Sequence, residues 1–206
     1  MNAQPEEPLV SEEEFWALVE KTEGRLECAG GHVYAMAGGD LDHSRLIDNL
    51  AASLKLGLRG KKCHASGSNF HIHVENTLDW FIPDNAIYCE EARFEKKPRR
   101  ALLDPVVVFE VLSPSTEKFD RTQKFDAYKK IERLRDYVLI SLDFVRVEHF
   151  SRQSGGWLQR TFSRMEEEVE LSSVDLRLLV AELYDELDVP VQLTLVWPEP
   201  QPETDQ

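Results

Sequence analysis

The sequence predicts an α/β (α+β) fold, a mixed central β-sheet flanked by helices, and three observations carry that prediction. Val106 to Phe109 is an unbroken β-branched and aromatic run, the pattern of a strand buried on both faces. Helix-spaced segments interleave with short strand-like runs throughout. No internal repeat or boundary divides the 206 residues, a length that suits one domain with a sizeable core. The expectation is a single domain over 11–190, between a flexible start at 1–10 and a proline-bearing acidic tail at 191–206.

Taken in order, Ser11-Glu12-Glu13-Glu14 is a capping-box sequence, followed by Phe15, Leu18 and Val19 at helical spacing. That predicts a short helix ending near Gly24. Arg25 to Cys28 and His32 to Met36 read as two strands joined at Gly30-Gly31. After Gly38-Gly39-Asp40 comes a second helix, 42–58, with the apolar stripe Ile47, Leu50, Leu54 and Leu58. His43 extends that stripe one turn earlier and therefore points inward. Short strands follow at Cys63 to Ser66, Phe70 to Val74 and Asn85 to Cys89, the last introduced by Phe81-Ile82-Pro83-Asp84. Glu90 to Arg100 is charged and reads as a solvated loop.

Ser113-Pro114 ends the central strand, because proline cannot continue a central ladder. The helix beyond it carries Asp120, Lys124 and Tyr128 in one i, i+4 row. Tyr137 to Leu142 and Val145 to Phe150 alternate as a hairpin, with Trp157 to Phe162 as a third strand. Leu179, Leu183 and Leu187 predict a helix over 176–187 that packs back on the sheet.

Composition narrows the function. The formal charge of −14 argues against a protein that wraps nucleic acid nonspecifically, since phosphate neutralisation supplies most of such affinity. Contact with DNA would have to use local basic patches, such as Lys96-Lys97-Pro98-Arg99-Arg100 or Arg59 to Lys62. There is no apolar run long enough for a membrane span and no signal-peptide pattern, so a cytoplasmic location is expected. Cys28, Cys63 and Cys89 are odd in number and lack CxxC spacing. They read as small buried hydrophobes in a reducing compartment rather than a disulfide frame or zinc site.

Three carboxylates stand at strand positions: Glu27, Asp84 and Glu110. Alone, Glu27 reads equally well as an edge-strand surface charge, and Asp84 after Pro83 as an ordinary turn residue. Glu110 is harder to explain away. It lies between Phe109 and Val111 on a central strand, where a carboxylate costs several kcal/mol, roughly, unless cations or hydrogen bonds compensate it. Lys124 shares a helix face with Tyr128 and Ile131, the face turned to the sheet. His71 and His73, at i, i+2, give only a weak metal signal because no third ligand accompanies them.

The ordered set Arg25-Leu26-Glu27, Gly31, Met36, Gly38-Gly39, His43, Pro83-Asp84, Asp104-Pro105, Glu110-Val111-Leu112-Ser113-Pro114-Ser115-Thr116, Asp120, Lys124 and Tyr128 resembles the Uma-two family of restriction endonucleases, part of the PD-(D/E)XK nuclease superfamily. The likeness runs from about Ser11 to Leu187. It implies a restriction-endonuclease-like core and a metal-dependent endonuclease acting on DNA. Asp84 and Glu110 would bind Mg²⁺, with Mn²⁺ as a substitute, and Lys124 would serve the attacking water. Glu27 would be an additional acid, and His43, Asp120 and Tyr128 would be supporting or phosphate-contacting groups. A homodimer is compatible with the family. The superfamily's usual lysine lies two residues after the glutamate, where this chain has Leu112; Lys124 matches the relocated lysine of Uma-two relatives. Around Glu27, Cys28-Ala29-Gly30 and His32 replace the relatives' usual Leu-Ile-Asp and Glu. Two other readings stay open at this point: a noncatalytic nuclease-derived binding module, and a hydrolase of a smaller phosphoester.

Overall fold

The computed structural model describes residues 9–36, 39–95 and 101–191. The N-terminal start, Gly38, the basic run Lys96-Lys97-Pro98-Arg99-Arg100 and most of the C-terminal tail lie outside the described residues.

The first helix, α1 (Glu12–Lys21), is started by the expected capping box: the Ser11 hydroxyl accepts from the Glu14 N–H at 3.3 Å, and the Glu14 carboxylate accepts from the Ser11 N–H at 2.8 Å. β1 (Leu26–Ala29) and β2 (His32–Ala35) form the hairpin, with Gly30 and Gly31 both at positive φ in its turn. In α2 (Leu41–Gly57) the buried stripe is Leu46, Leu50 and Leu54, continued by Leu58, and Ile47 is only partly buried. The contact face is thus rotated slightly from the one the spacing predicts.

Next come β3 (Cys63–Gly67), β4 (His71–Val74), β5 (Asp79–Phe81), β6 (Asn85–Cys89), β7 (Ala101–Leu102) and β8 (Val107–Leu112). The connection to β9 (Asp136–Ser141) runs through α3 (Glu117–Phe119), a π-helical turn (Asp120–Lys124) and α4 (Phe125–Tyr128). β10 (Val147–Gln153) and β11 (Gly156–Phe162) complete a meander, and β12 (Glu168–Leu171), β13 (Leu176–Leu179) and α5 (Val180–Leu183) close the described chain.

The expected mixed architecture with flanking helices is present, built among the described residues from two sheets rather than one, plus a small hairpin. A six-stranded sheet has the order β11-β10-β9-β8-β6-β3, with β8 and β9 parallel; a five-stranded sheet has the order β2-β1-β5-β4-β7. The second sheet depends on β5, a three-residue strand too short to stand out in the sequence, which joins β1 to β4. Ile82-Pro83-Asp84 then carries the chain from one sheet into the other. All six residues of β8 are buried: Val107, Phe109 and Val111 meet α2, while Val108 and Leu112 meet Tyr128 and Tyr137. Glu110 shares this second face by strand alternation.

Two expectations are corrected. The helix over 176–187 is a strand followed by a single turn: Leu176 and Leu178 are buried and Arg177 is exposed, a period of two that pairs β13 with Val169 and Leu171 of β12. Leucines three and four apart fitted a helix equally well, and the partner strand decided otherwise. The cysteines differ as well. β3 and β6 pair with Cys63 opposite Cys89, and these two form a disulfide; only Cys28 is free and buried. A sequence separation of 26 residues hides this pairing until the register is known. With that bond the argument from unpaired thiols to a reducing compartment falls. Among the described residues, no helix is long and apolar enough to cross a membrane.

Candidate active site

The two sheets meet at a buried cluster of charge. Glu27, Asp84, Glu110 and Asp120 are all buried there, as is Lys124, which is 2% exposed. Each acid arrives on a different element, and each is held for a separate physical reason.

Glu27 projects from β1, and its Oε1 accepts a 2.7 Å hydrogen bond from the Ile82 N–H just past β5. A surface-charge role is thereby excluded. Asp84 follows Pro83 at the entry to β6. The ladder between β6 and β8 ends at Asn85 opposite Phe109, and the Asp84 carboxylate takes over the next rung by accepting from the Val111 N–H at 2.7 Å. On the same residue, the Val111 carbonyl lies 3.2 Å from His43 Nε2. His43 is presented by the first turn of α2, where Asp40 caps its backbone N–H, and it stands 3.9 Å from Asp84 Oδ2.

Lys124 sits at the centre. Its Nζ lies 2.9 Å from Glu27, 3.0 Å from Glu110 and 3.6 Å from Asp120. The i, i+4 row holds, although Asp120 to Lys124 form a π turn rather than α-helix. Such turns are uncommon and recur at functional sites. Tyr128 donates to Glu110 Oε1 at 3.4 Å, and the Phe81 ring flanks Lys124 with its centroid 5.9 Å from Nζ. Tyr137, which the sequence reading passed over, is fully buried beneath the site and donates to the Asp120 carbonyl at 3.0 Å. Its signal was a tyrosine beside the apolar run Val138-Leu139-Ile140, since a buried hydroxyl needs a partner.

Four buried acids against one lysine leave an excess of negative charge, and the ionisation behaviour follows. Burial raises the Glu110 carboxyl well above its usual range; Lys124 opposes this, but Asp120, Asp84 and Glu27 add to it. Asp84 is raised by burial against the pull of the Val111 N–H, His43, Lys124 and Arg25. Asp120 is raised by burial too, with Lys124 opposing. Lys124 loses solvation, which favours the neutral amine, yet Glu110, Glu27 and Asp120 prevail and hold it protonated well past the ordinary lysine range. Burial and the same acids suppress ionisation of Tyr128 and Tyr137.

This donor set suits a hard divalent cation, because crowded carboxylate oxygens with raised proton affinity are relieved by bound positive charge. Among the described residues no three His, Cys, Asp or Glu side chains are poised to hold an ion unaided. Mg²⁺ commonly accepts one or two carboxylates and completes its shell with water and phosphate. His71 and His73 are engaged elsewhere: His71 Nε2 with the Leu26 carbonyl at 2.8 Å, His73 Nδ1 with Glu95 at 2.5 Å.

Comparison with known proteins gives the chain a family and a fold. The family model described as "Putative restriction endonuclease", Uma2, matches residues 12–181, a span containing every residue of the cluster. The chain belongs to the Uma2 family. Two Synechocystis proteins, both described as uncharacterized, are similar to it. The protein slr1290 is 32% identical over 178 residues, covering 86% of this chain and 92% of its own. The protein sll1609 is 29% identical over 160 residues, covering 77% and 90%. Among solved structures, a "putative nuclease belonging to DUF820" from Anabaena variabilis superposes with a TM-score of 0.68 at 17% identity, over 85% of this chain and 97% of that one. At that identity the likeness speaks for the fold, and the mixed sheets with flanking helices are shared with a nuclease fold. In this Uma2 chain the lysine beside Glu110 comes from the helical segment after the strand, and Leu112 is buried in the core.

Proposed function

We propose that this Uma2 protein is a metal-dependent endonuclease that hydrolyses DNA phosphodiester bonds. The observation that carries the reading is the convergence of Glu110 and Glu27 on the Lys124 ammonium, with Asp84 anchored one rung away on Val111. In this reading Asp84 and Glu110 hold Mg²⁺, for which Mn²⁺ substitutes. The ion would lower the pKa of a bound water and offset charge on the scissile phosphate. Lys124, kept protonated by its carboxylate neighbours, orients the attacking water and stabilises charge building on the phosphate oxygens. Tyr128 fixes the Glu110 carboxylate through its hydroxyl, and Glu27 fixes Lys124. Asp84 and His43, neighbours on one edge of the strand, engage the N–H and the carbonyl of Val111, which sets the position of the strand end. A second copy of the chain would supply the second cut needed to sever both strands.

The test is calorimetric titration of Mg²⁺ and Mn²⁺ into wild type and Asp84→Asn, followed by plasmid nicking in the same buffers. Binding that the substitution abolishes, with metal-dependent nicking in wild type alone, is the expected result. A second reading, a noncatalytic binding module, is favoured by the net charge of −14. Wild type that neither binds metal nor nicks DNA would replace the first reading with it. Hydrolysis of a small phosphodiester that duplex DNA fails to inhibit would point instead to a smaller substrate.

A further inference from the structure

The β1–β2 hairpin presents more than Glu27 to the site. Glu27 pairs directly with Tyr34 across the hairpin, so the two side chains share a face, and Arg25 lies on that face two residues before Glu27. Glu27 is buried, whereas Tyr34 keeps 43% of its surface exposed. The Tyr34 ring is backed by Phe119, with centroids 5.5 Å apart and planes at 46°. Phe119 in turn meets Phe81 at 6.1 Å, and Phe81 flanks Lys124. A continuous aromatic path therefore leads from the surface to the central lysine. Its outer member is supported on one side and open on the other. Arg25, anchored by its 3.1 Å bond to the Ser68 carbonyl, is close enough to Asp84 for its charge to act on that carboxyl.

We infer that Tyr34 is a stacking platform for an unpaired nucleobase, so that the substrate class is single-stranded DNA or the single-stranded part of a junction. The inference rests on the nuclease reading above and narrows its substrate. In an intact duplex the base faces are covered by their neighbours, and an exposed ring beside the site has nothing to stack on. A splayed base offers its face, and Arg25 lies where it can meet the adjoining phosphate. An acidic protein is also better suited to a short single strand than to a long duplex footprint, because fewer phosphates must be neutralised.

The test is fluorescence anisotropy with a labelled 12-nucleotide single strand and its duplex, in Ca²⁺ rather than Mg²⁺, for wild type, Tyr34→Ala and Tyr34→Phe. Stacking on an aromatic side chain predicts that wild type prefers the single strand and that Tyr34→Ala weakens it about tenfold. Tyr34→Phe, which keeps the ring, holds the wild-type affinity. Mg²⁺ titration of Tyr34→Ala should match wild type, separating lost stacking from a damaged centre. Equal binding of the two DNA forms, or an unchanged Tyr34→Ala, in a wild type that nicks plasmid overturns this inference and leaves the nuclease reading standing. A wild type that binds neither form and nicks nothing overturns both.

Discussion

Lys124 lies 3.0 Å from Glu110 although fourteen positions separate them in the chain and their elements differ. A lysine two residues along the same strand would share the strand's rigidity. Here its position depends on the turn Asp120–Lys124, on Tyr137 beneath that turn and on three carboxylates around the ammonium.

Lys124→Ala leaves those carboxylates without their cation. Breaking a buried ion pair on one side typically costs about 3–5 kcal/mol, so the metal-free variant should unfold at clearly lower urea. Metal binding should survive, and added Mg²⁺ should restore part of the stability. Plasmid nicking should fall by about a hundredfold or more. Nicking at the wild-type rate would remove Lys124 from the chemistry.

The acids behave in the opposite sense. Glu110→Gln and Asp84→Asn each delete one charge from a cluster with excess negative charge, while an amide oxygen can still accept from Tyr128 or the Val111 N–H. Both variants should lose Mg²⁺ binding in calorimetry, and their metal-free thermal midpoints should equal or exceed that of wild type. Destabilised variants with undiminished metal affinity would show that these residues serve the fold alone.

A pH dependence follows from the same cluster. Glu110, Asp84 and Asp120 have folded-state pKa values above their usual ones, so the folded chain retains protons that the unfolded chain releases. Their contribution to metal-free stability is therefore largest in mild acid. It declines as pH rises from about 4 through the raised values. Lys124 is raised as well, but its contribution is complete below about 10.5 and does not vary in that window. Thermal scans from pH 5 to 8 should show the midpoint of chelator-treated wild type falling, and falling less in Glu110→Gln. Saturating Mg²⁺ should flatten the wild-type curve, and a slope indifferent to Mg²⁺ would contradict the assignment.

Tyr137→Phe removes the bond to the Asp120 carbonyl and leaves a buried acceptor, a loss of about 1 kcal/mol in urea unfolding. The disulfide gives a larger effect. Closing a loop of 26 residues is worth about 3.5 kcal/mol, so reduction or Cys89→Ser should lower the unfolding midpoint markedly. Two free thiols at Cys63 and Cys89 in air-purified protein would contradict the bond.

How much of this could be read from the chain varied with the range of the interaction. The capping box, the hairpin and the central strand are local patterns, and they appear where the sequence puts them. Glu110 was legible because a lone acid in an apolar strand demands an explanation. Glu27 and Asp84 looked ordinary, since their bonds to the Ile82 and Val111 amides are set by sheet register. The same nonlocality hid the Cys63–Cys89 pair, the short β5 strand and the true state of Leu176–Leu179. Tyr34 needed both kinds of information: its alternation is local, but its position opposite Glu27 matters only once Glu27 is known to be buried.

Val111 has a use beyond holding the strand end. Its N–H points at the Asp84 carboxylate and its carbonyl faces His43, so both backbone polar groups of this residue meet titratable side chains. An amide proton bonded to a carboxylate resonates at a frequency that depends on that carboxylate's charge. In a ¹⁵N-labelled sample the Val111 cross-peak would serve as a built-in gauge. It would shift when Asp84 gains a proton, shift differently when Asp84 takes up a cation, and remain readable with no nucleic acid in the tube.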